Sequence, residues 1–228
     1  MAWAVTTWAS TDNDTSEAFS FNVDVVAGDI VLVSAGQRNG NLSSAVYLVN
    51  STSPTTLGYD STLDKGGSSF FVNLMYLFPD GTGTIPIGKS QGGVADLERT
   101  LSAIVISGID SGTPIAAATT ISSTDAATSM VLNQASSALD VTVSAALFGA
   151  IDTSATTAAT MVAAADQEFK NTTKRRVQMA YTDGSNPKHA WDFPDEAGHY
   201  GGVIFSLNAS TKSSAVVANV RFQSILMG

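Results

Sequence analysis

The stretch VDVVAGDIVLVSAG, residues 23–36, contains two hydrophobic patterns separated by one turn. Before the turn, Val23 and Val25 alternate with polar residues, which is typical of a strand with one buried face. A Gly-Asp pair at positions 28 and 29 marks the turn. After it, residues 30–33 are all apolar, which predicts a strand that is buried on both faces. The stretch therefore indicates a β-protein built in layers.

Strand candidates of similar length recur along the whole chain and are separated by clusters of Gly, Asn, Asp and Pro. They lie at residues 45–49, 70–78, 97–106, 130–133, 139–148, 177–181, 191–193 and 202–207. Residues 153–169 are the one segment compatible with a helix, and two strands joined by a loop fit them as well. Strands at this spacing predict a single all-β sandwich.

Five segments in chain order carry a resemblance to a known module. They are VDVVAGDIVLVSAG (23–36), PTTLGY (54–59), FFVNLMYLF (70–78), ISGIDSGTPI (106–115) and GGVIFSLN (201–208). This order resembles a jelly-roll-type β-sandwich module of phage structural proteins and bacterial surface proteins. In that module AGD enters a buried strand, a G-[IV]-D-x-x-x-P-I loop follows a central strand, and a Gly-led apolar strand closes the sandwich. The resemblance implies an antiparallel, jelly-roll-like sandwich over roughly residues 18–208, and it implies no catalytic residues.

Composition excludes several partners and sites. The 228 residues include 11 Lys plus Arg against 20 Asp plus Glu, so the net charge of −9 predicts repulsion from nucleic acid and from anionic membranes. Cysteine is absent, which excludes disulfides and thiolate metal sites. No apolar stretch approaches the roughly 18 residues of a membrane span. The first residues show no signal-peptide pattern, so we expect synthesis in a host cytoplasm.

The stretch GTIPIGKS, residues 83–90, matches the phosphate-binding pattern G-x-x-x-x-G-K-[ST] letter for letter. A functional P-loop needs a helix that begins at the Lys-Ser pair. Here Pro86 removes one amide from the loop, and two glycines, which are poor helix formers, follow at positions 92 and 93 in the first turn of that helix. We therefore predict a hairpin, with a turn at residues 79–83 and a return strand at 84–88, and no bound nucleotide.

Two clusters contain residue types that bind metals. The stretch HAWDFPDEAGHY, residues 189–200, holds both histidines and three carboxylates, and residues 11–17 contain several acidic oxygen ligands. The spacing of neither cluster matches a diagnostic metal motif. We expect the first to be a polar loop between the strand at 191–193 and the closing strand, and the second to be an exposed acidic turn, so no metal site is predicted.

Catalysis has little support in the sequence. No G-x-S-x-G elbow is present, and neither histidine has an evident serine partner. We therefore predict a protein without enzymatic activity, catalytic residues or cofactor. Six aromatic residues could instead stack on sugar rings, although packing in the core is the favoured interpretation. They are Trp3, Trp8, Tyr47, Tyr59, Trp191 and Tyr200.

The last residues predict an assembly strand. The sandwich is expected to occupy residues 1–209, and residues 210–228 to form a spacer followed by a strand. In that strand Val216, Val220, Phe222 and Leu226 fall on one apolar face. An apolar strand left free in water would aggregate, so it must pair, either with its own sandwich or with another copy by strand addition.

Together these features predict a phage virion structural protein, either a capsid decoration protein or a tail or fibre component. Its expected partners are other copies of itself and other virion proteins. The alternative function is a carbohydrate-binding or receptor-binding β-sandwich module.

Overall fold

The computed structural model describes residues 3–13, 19–38, 46–48, 60–65, 68–89, 99–123, 125, 127–134, 140–150, 160–161, 167–169, 177–184 and 188–210. These residues form fifteen β-strands and no helix. The strands are β1 (Ala4–Asn13), β2 (Phe19–Val25), β3 (Ile30–Arg38), β4 (Val46–Leu48), β5 (Asp60–Lys65), β6 (Ser68–Leu77), β7 (Gly83–Lys89), β8 (Arg99–Ser107), β9 (Ile115–Ser123), β10 (Ala127–Asn133), β11 (Val141–Ala150), β12 (Thr160–Met161), β13 (Gln167–Phe169), β14 (Val177–Asp183) and β15 (Lys188–Leu207).

Two large antiparallel sheets form the centre of the fold. The N-terminal sheet has the order β1-β8-β3-β6-β5, and the C-terminal sheet has the order β10-β15-β11-β14-β13, with β9 and β12 also paired to β15. Apolar side chains from both sheets meet in one cluster that includes Leu32, Ile104, Val143, Met179 and Phe205. The predicted fold class, an all-β antiparallel sandwich, is confirmed.

A small third sheet, the cover sheet, has the order β2-β7-β4 and packs on the outer face of the N-terminal sheet. Strand β3 is therefore covered on both sides. Its residues Ile30 and Leu32 face the C-terminal sheet, while Val31 and Val33 face the cover sheet. All four side chains are at most 1% exposed, which confirms the doubly buried strand predicted from the apolar run.

The turn into β3 is built by the Gly-Asp pair of the opening stretch. The amide of Asp29 donates to the carbonyl of Val26 at 3.0 Å, and Gly28 adopts a φ of 92°. A positive φ at the third position is typical of a type II turn and favours glycine. The amide of Val26 in turn donates to Oδ2 of Asp29 at 2.8 Å, so the buried carboxylate closes the turn that it follows.

The outer face of the C-terminal sheet is covered by a folded ribbon, which consists of β10 and residues 188–197 of β15. A Cβ built on Gly202 would lie 2.8 Å from Cδ1 of Leu132, yet Leu132 pairs with His189 in β15. His189 and Gly202 are thirteen residues apart, so a straight strand would separate them by about 43 Å. Strand β15 therefore bends back over its own sheet, and the pairing with β10 shifts register between Asp192 and Ala197.

Residues 160–161 and 167–169 are strands, which favours the alternative of two strands joined by a loop over a helix at 153–169. Two other predictions about local structure are wrong. Residues 79–83 and 84–88 are not a hairpin: β7 pairs with β2 and β4, because both edges of β6 are already occupied by β3 and β5. The polar loop expected between the strand at 191–193 and the closing strand is also absent, because β15 is extended over the whole of Lys188–Leu207.

Candidate functional site

The chain's last described residues are held at one end of the sandwich by the loop at residues 108–114. This loop comes from the stretch that resembles the G-[IV]-D-x-x-x-P-I motif. Oδ1 of Asp110 accepts a hydrogen bond from the amide of Gly112 at 2.9 Å, and its Oδ2 accepts one from the hydroxyl of Thr113 at 3.2 Å. Gly108 has a φ of 79°, a conformation that favours glycine. The Asp and Gly of the motif therefore shape the loop itself.

Four hydrogen bonds join this loop to residues 208–210, and we call the joined segments the clasp. The amide of Asp110 donates to the carbonyl of Asn208 at 2.9 Å, and the amide of Asn208 donates to the carbonyl of Pro114 at 2.9 Å. The side-chain amide of Asn208 donates to the carbonyl of Thr113 at 2.6 Å. The amide of Ser210 donates to the carbonyl of Gly108 at 2.7 Å.

The clasp is anchored to the core. Ile109 and Ala209 form an isolated antiparallel bridge, and the side chain of Ile109 is 4% exposed. The amide of Ala209 also donates to Oδ1 of Asp140 at 3.3 Å. The chain is consequently held in place up to Ser210. The motif of this loop was recognised in the sequence, but no function was predicted for it.

The four predicted assembly residues, Val216, Val220, Phe222 and Leu226, lie outside the described residues. The division into a domain at 1–209 and an assembly segment at 210–228 therefore stays a prediction. Glu17 of the acidic stretch and Tyr59 of the six aromatic residues also lie outside the described residues.

A second polar site lies inside the fold, under the folded ribbon. The side chain of His189 is fully buried. Its Nδ1 lies 2.6 Å from Oγ of Ser144, and its Nε2 lies 3.0 Å from Oγ1 of Thr182. A neutral imidazole has one donor and one acceptor nitrogen, so one hydroxyl accepts and the other donates. Both polar atoms of the ring are thus satisfied without any charge.

The serine partner of His189 was missed from the sequence. Ser144 lies 45 residues away on β11, where polar residues at 142 and 144 alternate with Val141 and Val143. That alternation was the available signal. In a strand covered on one side only it would indicate contact with water, whereas here the ribbon buries the polar face as well.

Burial lowers the pKa of His189 to about 3, because the charged imidazolium would lose its hydration. The ring is therefore neutral at physiological pH. A Ser–His pair performs nucleophilic catalysis only if a substrate can reach the hydroxyl, and Ser144, Thr182 and His189 are each at most 1% exposed. The arrangement favours a structural role for the cluster.

The residues considered as metal ligands do not converge where the structure describes them. His189 and Asp192 lie on opposite faces of β15, the first buried and the second exposed. Among the described residues no group of three His, Asp or Glu side chains is placed to hold a metal ion. Residues 11–13, expected in an exposed acidic turn, belong to β1 instead, where Asp12 pairs with Thr100 of β8.

The GTIPIGKS stretch is an extended strand over residues 83–89. In an extended backbone successive amides point to opposite edges, whereas a phosphate cradle needs amides that converge on one anion. Pro86 lies opposite Asn22 of β2, while β4 pairs only with residues 87–89. The proline therefore occupies a strand position without a described partner on its second side, where a missing donor costs little.

Three of the six aromatic residues considered as sugar platforms have described side chains. Trp191 is fully buried, and its Nε1 has no hydrogen-bond partner among the described residues. Trp3 is half-buried and forms a T-shaped contact with Tyr181, with ring centroids 6.1 Å apart. Tyr200 packs against the apolar cluster under the ribbon. These three aromatics serve packing.

Comparison with known proteins yields little. No family model and no curated protein matches the chain. One matching solved structure is described as "The Triple Jelly Roll Fold and Turret Assembly in an Archaeal Virus", with 13% sequence identity and a TM-score of 0.27. The match covers 86% of this chain and 57% of that chain. A TM-score this low carries no argument, so the sandwich architecture stands on the strand pairing of this chain. Finally, the described residues include no helix long and apolar enough to cross a membrane.

Proposed function

We propose that this chain is a non-enzymatic structural protein of a phage virion, either a capsid decoration protein or a tail or fibre component, that works by assembling with further copies of itself. The observation that carries the proposal is the clasp. It fixes the chain at Ser210, and the remaining 18 residues include the alternating apolar positions of the predicted assembly strand.

The sealed polar cluster supports the non-enzymatic part of the proposal. The structure brings together Ser144, a possible nucleophile, and His189, a possible base. Both side chains are buried, and they form a hydrogen bond with each other. Where the structure describes them, the motifs that resemble those of phage structural modules form a turn, core strands and the clasp. They supply rigidity, which is what a virion component requires.

The test is to find the protein in particles. Peptide mass spectrometry of gradient-purified virions should detect the chain at many copies per particle, and it should be made in the cytoplasm of the infected host. A chain that is abundant in the infected cell and absent from purified virions would refute the virion assignment. A glycan array on the same protein separates the alternative function, because saturable binding of a sugar would favour a receptor-binding module.

A further inference from the structure

Ser210, the last described residue, lies next to the first residues of two edge strands, and we call residues 211–228 the arm. The amide of Ser210 donates a hydrogen bond to the carbonyl of Gly108, the residue that directly follows β8. The last residue of β8, Ser107, pairs with Ala4 at the start of β1, and Leu207 pairs with Ile115 at the start of β9. Both β1 and β9 therefore begin at the end of the sandwich from which the arm departs and run away from it.

This placement fixes the direction in which the arm could pair with its own sandwich. Residues 210–215 reach about 20 Å when fully extended, whereas β9 spans about 30 Å and β1 about 33 Å. The arm cannot reach the far end of either strand before its own strand pattern begins at Val216. Within one copy it would run parallel to β1 or β9.

Parallel pairing is unfavourable in this setting. Each of the twelve strand pairs that the described residues form is antiparallel. A parallel ladder has slanted hydrogen bonds and is slightly less stable per residue. A second copy can approach with its arm in either direction, so only pairing between copies makes an antiparallel ladder available.

Strand β9 is the edge best suited to receive the arm. Its sequence, IAAATTISS, has no charge and no proline, and β15 is its one described strand partner. From Ala117 to Ser123 the register runs without a shift. An edge of this kind lacks the features by which proteins normally prevent strand addition.

The other edges of the two large sheets are less suitable. Strand β10 also has no charge and no proline, but its register with β15 shifts between Ala127 and Ser129, and β12 has two residues. Strand β5 contains Asp60, Asp64 and Lys65, and β13 has three residues. Strand β1 has a register shift between Val5 and Thr7 and contains Asp12. The Oγ1 atom of Thr7 also contacts the carbonyl of Asp24 at 3.4 Å, so the cover sheet already lies against β1.

The charge distribution is compatible with a second copy as the partner. The arm contains Lys212 and Arg221 and no acidic residue. Because the whole chain has 11 basic and 20 acidic residues, residues 1–210 carry nine basic against 20 acidic side chains. An arm with two positive charges is attracted to a body with a large negative excess, and this attraction offsets part of the repulsion between two bodies.

We propose that the arm of one copy adds as an antiparallel strand to the outer edge of β9 in a second copy. Each chain then carries one donor strand and one acceptor edge, so copies can assemble either by reciprocal exchange in a two-fold dimer or head-to-tail in rings or open arrays. The proposal rests on the assembly role argued above and does not depend on where assembly takes place.

The absence of cysteine makes disulfide mapping a direct test. Full-length chains with Thr120→Cys or Ser122→Cys are co-expressed with differently tagged chains that carry one cysteine within residues 216–226, and the purified proteins are then oxidised. Facing residues in paired strands meet the Cα separation that a disulfide requires. We expect heterodimers at about tenfold the yield obtained with Asn22→Cys, which replaces an exposed residue on the cover sheet.

The pattern of crosslinks reports the direction of the strands. In an antiparallel ladder, moving the acceptor cysteine from position 120 to 122 moves the best arm position two residues towards the N-terminus. A shift towards the C-terminus would overturn the antiparallel arrangement. The pairing between copies would be overturned by disulfides that form inside dilute double-cysteine chains but not between chains. Crosslinks to Ser10→Cys in place of β9 would assign the acceptor edge to β1.

The crosslinking experiment and the search for the chain in purified virions can succeed or fail independently of each other. If the chain is absent from particles but the crosslinks form as expected, the virion assignment fails and the pairing stands. If the chain is present in particles and no β9 crosslink forms, the assignment stands and this inference fails.

Discussion

The cover sheet and the folded ribbon protect opposite faces of the same sandwich, but they bury different chemistry. Under the cover sheet the contacts are apolar and include Val31, Val33 and Ile87. Under the ribbon an apolar cluster around Trp191 lies beside the neutral His189, which bonds two hydroxyls. Apolar burial is insensitive to protons, whereas a buried neutral base is stable only while it stays neutral. The two layers should therefore respond differently to charge, to acid and to added volume.

The largest effect is expected from a charge placed under the cover sheet. Val33 is 1% exposed, so Val33→Asp buries a carboxylate without a partner and should cost about 5 kcal/mol of unfolding free energy or more. Val33→Ala, a milder change, should cost about 2 kcal/mol through the lost apolar burial. Urea denaturation measures both values. Val26→Asp is the matched control because Val26 is 57% exposed. Equal midpoints for the variants at positions 33 and 26 would show that this side of β3 is not in the core.

Acid should distinguish the two layers. The pKa of His189 is about 3 in the folded chain and about 6.5 when unfolded, so between these values the unfolded state binds more protons. The stabilising contribution of His189 is therefore complete above pH 6.5. As the pH falls below this value, the free energy of unfolding decreases by about 1.4 kcal/mol per pH unit, and the total loss reaches about 5 kcal/mol near pH 3.

The measurement is the free energy of unfolding of wild type and His189→Gln from pH 8 to pH 4. The glutamine variant keeps a neutral donor and acceptor but does not titrate, and all other groups are shared. The difference between the two curves should be flat above pH 6.5 and fall below it. Parallel curves over the whole range would mean that the imidazole is hydrated and the ribbon is open.

A smaller effect is expected where the ribbon contacts the sheet. A methyl group at position 202 would lie 2.8 Å from Cδ1 of Leu132, 2.9 Å from Cε of Met130 and 3.2 Å from the carbonyl oxygen of Ala145. The side-chain ends can move but the carbonyl cannot, so Gly202→Ala should cost about 1–2 kcal/mol. Gly81→Ala is the control, because no atom lies within 4 Å of its added Cβ. Equal melting temperatures for the two variants would contradict the close approach of the ribbon.

No effect is expected in the last comparison, which concerns the GTIPIGKS strand of the cover sheet. Equilibrium dialysis with ATP or GTP and Mg²⁺ should show no saturable binding to wild type, and Lys89→Ala should leave that result unchanged. Micromolar binding that Lys89→Ala abolishes would restore the P-loop interpretation.

Much of the fold follows from local pattern. The apolar run at 30–33, the alternation before it and the turn residues between them predicted the doubly covered strand, and the strand candidates predicted an all-β sandwich. The bend of β15 was missed because the polar sequence between Trp191 and Tyr200 contains Pro194 and Gly198, which usually indicate a loop. Here the strand pattern continues through the bend because β10 follows it on one side.

What the sequence determined by itself is the set of strands that bury one face or two, because that property depends on neighbours one and two residues apart. It also determined that no thiol chemistry is available and that the arm is positive while the body is negative. Only the tertiary structure decided which strands meet. The pairing of β7 with β2, the contact of His189 with Ser144 and the clasp around Asn208 each join segments that are distant in the chain. Strand ladders accept almost any partner through the same backbone hydrogen bonds, so partner choice depends on the packing of whole layers, which no local pattern records.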